Sequence, residues 1–69
     1  MSLVTLRAEL TAQEAWHLAQ FIKRLRFDQY LELTNGGYSR QDREEQAYTM
    51  RAATDKIRQA LSTAGYAPR

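Results

Sequence analysis

The 69-residue chain contains no cysteine, one proline, one tryptophan, one histidine and three glycines. Lack of cysteine removes disulfides, thiolate metal ligands and a cysteine nucleophile together. His17 has no second His or Cys to complete a metal set, and no Ser-His-acid constellation can be assembled around it. Glu14, one helical turn away, gives it a partner for a surface pair. No apolar run approaches the roughly 20 residues that span a bilayer. Met1–Leu10 also lacks a basic start followed by an apolar core, so no signal peptide is expected. Gly36-Gly37 has no Gly-Lys-Ser/Thr context and makes no phosphate loop. Asp42, Glu44 and Glu45 lack the alternating ligand spacing of a calcium loop and read as an acidic helix start. The expectation is a cytoplasmic, non-enzymatic protein with no cofactor and no metal.

Net charge is also small. Ten Lys and Arg face eight Asp and Glu, for a formal net charge of +2. Residues 1–35 balance Arg7, Lys23, Arg24 and Arg26 against Glu9, Glu14, Asp28 and Glu32. The excess lies in the second half, interspersed rather than clustered, unlike the footprint of a nucleic-acid binder. Sixty-nine residues form one domain, 1–69, with a small core and a thin stability margin. Small scaffolds commonly add disulfides, a metal or a partner chain. Only the partner remains here.

What is present reads as an alternating segment followed by two helical patterns. Val4, Leu6, Ala8 and Leu10 alternate with Thr5, Arg7 and Glu9, which predicts a strand with one buried face. A lone strand leaves its backbone groups unpaired, so the strand is expected to pair across a homodimer. Thr11-Ala12-Gln13-Glu14 matches a capping box and starts the first helix at Ala12. Ala15, Leu18, Phe21, Ile22 and Leu25 gather on one face of it. The pattern stays helix-compatible to Leu33, with a bend near Phe27 as the alternative to one continuous helix. Asn35-Gly36-Gly37 favours a turn.

The second helix is expected from Ser39 as N-cap, with Asp42 at N3. Its apolar stripe is Ala47, Met50, Ala53, Thr54, Ile57, Ala60, Leu61 and Ala64, small where the first helix is large, so the two should interdigitate. Gly65 is placed at C′, Tyr66 folds back on Leu61, and Pro68 stops the helix. The predicted fold is thus α+β and mostly α: a strand and an antiparallel helical hairpin.

Residues off these stripes supply the candidate contacts. Trp16, Ala19, Lys23, Phe27 and Tyr30 form a second ridge on a continuous first helix, and Tyr48 lies almost opposite the second helix's stripe. Trp16, Phe27, Tyr30 and Tyr48 are taken as partner-contact residues, because Trp and Tyr are enriched at hot spots. Lys23, Arg24 and Arg26 are assigned to an acidic partner. Arg51, Asp55 and Arg58 read as helix-surface pairs worth tenths of a kcal/mol each.

Two resemblances follow from these residues. Val4–Thr11, Gly37-Tyr38-Ser39-Arg40 and Lys56–Leu61 are similar to segments of ribbon-helix-helix repressors, whose paired strands read the major groove. That likeness implies Thr5, Arg7 and Glu9 as DNA contacts. About 26 residues separate Thr11 from Gly37, longer than that family's usual first helix and turn. Nearly the whole chain also resembles short uncharacterised proteins of proteobacterial plasmids, prophages and integrative elements. This second likeness is carried by Leu10-Thr11, Glu14-Ala15-Trp16-x-Leu18-Ala19-Gln20-Phe21-x-Lys23-Arg24, Phe27-x-x-Tyr30, Gln46-Ala47-Tyr48-x-Met50 and Ile57-Arg58-x-Ala60-Leu61-x-x-Ala64-Gly65-Tyr66-Ala67-Pro68-Arg69. It implies a mobile-element setting and no defined activity. The sequence reading is therefore a homodimeric interaction module that regulates or inhibits another macromolecule. A dimeric DNA-binding repressor and a purely structural dimer are the alternatives.

Overall fold

In the computed structural model, residues 2–34 and 39–67 are described. Among these residues three helices carry the fold: α1 (Ala12–Arg24), α2 (Phe27–Glu32) and α3 (Arg40–Thr63). The capping box opens α1 as expected. The Thr11 hydroxyl accepts from the Glu14 amide at 3.1 Å, and Glu14 Oε1 accepts from the Thr11 amide at 2.9 Å. The Thr11 amide first, and the Thr11 hydroxyl after it, stabilise the Glu14 carboxylate by hydrogen bonding and hold its carboxyl below its ordinary pKa.

The chain bends at Leu25-Arg26, both in extended backbone geometry, so the continuous-helix alternative is lost. Gln29 explains part of the restart: its Oε1 accepts from the Arg26 amide at 2.8 Å, filling the role of an N3 glutamine. Ser39 caps α3 by accepting from the Asp42 amide at 3.2 Å. At the other end Gly65 adopts φ +99°, and the Tyr66 amide donates to the Leu61 carbonyl at 2.8 Å. That is a Schellman closure. The expected turn at residues 35–37 and the stop at Pro68 lie outside the described residues.

The predicted strand is a correction. Residues 2–10 form no ladder, the described residues contain no strand, and Leu3, Val4 and Leu6 are exposed. Alternation fixes which side chains share a face, but a strand also needs a second backbone at hydrogen-bonding distance, and no described segment provides one. Among the described residues the fold is helical, with no strand, and not α+β. The ribbon that would have carried Thr5, Arg7 and Glu9 is absent. All three lie on the exposed N-terminal segment, which has no regular secondary structure and where Arg7 and Glu9 approach to 3.8 Å.

The core is small. Ala15, Ala19 and Ile22 of α1 meet Leu61 of α3, with Leu18 and Tyr66 packed against them, while Ala47 is buried apart from that cluster. The alanines allow close approach of the two backbones. Only part of the α3 stripe serves this purpose. Ala47, Thr54 and Leu61, spaced by sevens, turn inward, whereas Met50, Ala53, Ile57, Ala60 and Ala64 stay exposed. Phe21, expected in the core, is exposed as well. The molecule is thin, with extents of 39 × 29 × 16 Å.

Candidate functional site

The bend after α1 is what assembles a site. It carries α2 across the middle of α3, where the Tyr30 hydroxyl meets Thr54 Oγ1 at 2.6 Å. Thr54's own proton goes to the Arg51 carbonyl at 3.0 Å, so Tyr30 is the donor in this pair. Phe27 and Tyr48 pack with ring centroids 4.5 Å apart and planes tilted by 35°. Arg43 reaches back from α3 to donate to the Leu31 carbonyl at 3.2 Å, near the end of α2.

These anchors leave a cleft at the junction of the three helices. Its walls are Ile22, Lys23, Leu25, Arg26, Phe27 and Tyr30 on one side and Arg51, Asp55 and Arg58 on the other. Four cationic side chains therefore surround one carboxylate. Asp55 is engaged with Arg58 at 3.7 Å, and Arg26 lies 3.6 Å from Asp28 outside the cleft. Such exposed pairs contribute little and exchange readily. Lys23, Asp55 and Arg58 also line a shallower groove that runs between α1 and α3 past Lys56 and Ser62 to Ala67. The positive excess that the sequence spreads along the chain is concentrated here.

The predicted basic cluster is divided by this geometry. Lys23 and Arg26 enter the cleft, but Arg24 lines a different surface with His17, Gln20 and Phe21. Tyr30 and Phe27 lie in the cleft wall, and Tyr48 stands behind Phe27, still 60% exposed. Trp16 is at the other end of the hairpin, edge-on to Tyr66 with centroids 5.6 Å apart, and 45% exposed. Sequence reasoning missed Arg51 and Arg58 as site residues. Their spacing of seven puts them on one helix face, yet nothing in the sequence places that face opposite Lys23 and Arg26.

Among the described residues no group of three or more His, Asp or Glu side chains could hold a metal ion. No described helix is long and apolar enough to cross a membrane. Comparison with curated proteins and with solved structures gives no match. A family profile does match, over residues 1–69, and its description is a family of unknown function, DUF7706. The chain belongs to that family.

Proposed function

We propose that this protein is a non-enzymatic interaction module, homodimeric and cytoplasmic, that regulates or inhibits another macromolecule through surface contacts. Its cleft takes an acidic segment of a protein partner. The observation that carries this reading is the convergence of Lys23, Arg26, Arg51 and Arg58 from two helices and a bend onto one concavity holding a single carboxylate. A carboxylate-bearing segment would displace the weak internal pairs and gain charge-assisted hydrogen bonds from the guanidinium groups. Tyr30 and Phe27 in the wall, with Tyr48 behind them, supply flat apolar surface beside the charges, the mixture found at contact hot spots. The mobile-element setting rests on the sequence likeness alone.

A protein partner is favoured over DNA because the cations form a pocket with Asp55 inside it, whereas a duplex needs an extended basic stripe. The test is fluorescence anisotropy with a labelled glutamate-rich peptide and, separately, a labelled duplex of mixed sequence, at low and moderate salt. The peptide should bind and be released by salt, and Arg51→Ala with Arg58→Ala should weaken it at least tenfold. Preferential retention of the duplex, or peptide binding indifferent to both substitutions, would overturn the reading.

A further inference from the structure

On the reading that the basic cleft takes an acidic segment, its size and charge specify which group on that segment enters. The concavity measures about 250 Å³, below the roughly 300–1,000 Å³ of sites that enclose small molecules. It therefore admits one group at the end of a side chain, with the rest of the segment lying outside.

The charges in and around the wall favour a dianion. Lys23, Arg26, Arg51 and Arg58 line the cleft, and Asp55 is the one carboxylate among its walls. Asp28 meets Arg26 from outside at 3.6 Å. With both acids counted, the four positive charges keep a formal excess of two. A glutamate or aspartate neutralises half of that excess, whereas a phosphate monoester carries a charge of about −1.5 to −2 at pH 7. The internal pairs do not block entry. Arg58 stands 3.7 Å from Asp55, and both pairs join exposed side chains, which makes them cheap to exchange.

The directions of approach favour a tetrahedral anion. Lys23 comes from the last turn of α1 and Arg26 from the bend, while Arg51 and Arg58 face them from α3. A carboxylate offers two oxygens in one plane, enough for one guanidinium fork. A phosphoryl group offers three acceptor oxygens that point different ways, so donors on opposite walls are served together. Tyr30 is not among those donors, because its hydroxyl is committed to Thr54 at 2.6 Å. Its ring and that of Phe27 give the wall apolar surface for the carbon atoms next to the ester.

We infer that the cleft recognises a phosphorylated side chain of the partner segment, its phosphoryl oxygens held by Arg51 and Arg58 on one wall and by Lys23 and Arg26 on the other. The test uses three labelled peptides of one sequence that carry serine, glutamate or phosphoserine at the central position, followed by fluorescence anisotropy. The phosphoserine peptide should bind at least tenfold more tightly than the glutamate peptide, and the serine peptide most weakly. Because the second phosphate pKa is about 6, its affinity should rise between pH 5.5 and pH 7.5 while that of the glutamate peptide stays level. The groups facing the phosphoryl site are Lys23 on α1, Arg26 in the bend, Tyr30 on α2, and Arg51, Asp55 and Arg58 on α3. His17, the one histidine, lies on another surface with Gln20, Phe21 and Arg24.

Arg51→Lys with Arg58→Lys keeps the charge and removes the forks, so it should erase most of the preference for phosphoserine, with unchanged helical circular dichroism. Inorganic phosphate should displace the phosphopeptide only in large excess; equal potency would assign the cleft to free phosphate and overturn a protein-borne group. Equal binding of the glutamate and phosphoserine peptides at both pH values would overturn the phosphoryl assignment and leave the acidic-segment reading standing. Absence of binding by all three peptides, or a preference indifferent to Arg51→Ala with Arg58→Ala, would overturn both.

Discussion

Replacing Leu61 by alanine tests the division of the α3 stripe most directly. Leu61 is the one large α3 residue in the core, set among Ala15, Ala19 and Ile22, with Leu18 and Tyr66 around it. Core Leu→Ala substitutions cost about 2–5 kcal/mol, depending on how far the site collapses. The molecule is only 16 Å across its thinnest dimension, and Leu18 and Tyr66 are free on one side to close inward. The expected cost is therefore in the lower part of that range, about 2–3 kcal/mol. A chain of this length has a total stability of roughly 3–10 kcal/mol, so the loss is a large fraction of it and lowers Tm by roughly 10–20 °C. Urea unfolding followed by far-UV circular dichroism and by Trp16 fluorescence measures it, since Trp16 packs edge-on against Tyr66 beside the substituted site. In the same measurement Ile57→Ala, which removes atoms from an exposed side chain, should cost far less. If Ile57→Ala proved as damaging as Leu61→Ala, α3 would be rotated from the orientation described, and the core would be misassigned.

Thr11→Ala removes the N-cap acceptor of α1 and should cost about 1 kcal/mol, read as a lower urea midpoint with an unchanged slope. Glu14 gives the same cap a pH dependence. Its pKa is lowered in the folded state, so its stabilising effect is present above the unfolded-state value and fades as pH falls through the folded value. Acid titration of stability should show this loss, and the Thr11→Ala variant should show less of it. Tyr30→Phe deletes the donor to Thr54 while leaving the Thr54 bond to Arg51 intact; the expected cost is about 0.5–1.5 kcal/mol, with a local increase in amide exchange in α2. Phe27→Ala removes the ring packed on Tyr48 and should loosen α2 from α3, which would appear as accelerated exchange across residues 27–32 and weaker binding of the acidic peptide.

The local events of this chain were legible without a structure. Thr11 and Glu14 specify the start of α1, Ser39 and Asp42 the start of α3, and Gly65 with Tyr66 its end. Each depends on residues within five positions of one another, so the sequence alone contains every partner. The long-range assignments were not legible in the same way. The alternation over Val4–Leu10 marks a two-sided segment, but whether it becomes a strand depends on a second backbone that no local pattern can supply. The bend at Leu25-Arg26 was one of two readings, because residues 27–33 are compatible with helix in either case. A wide apolar stripe on α3 was evident, yet only the packing of α1 and α2 decided that Ala47, Thr54 and Leu61 turn inward while Met50, Ala53 and Ile57 remain outside. The basic cleft has the same origin. Lys23 and Arg26 precede Arg51 and Arg58 by more than two dozen residues, and charge carries no information about which face will meet which. Helix identity and caps are set by neighbours along the chain; the site is set by where the bend delivers α2, and that is a property of tertiary packing.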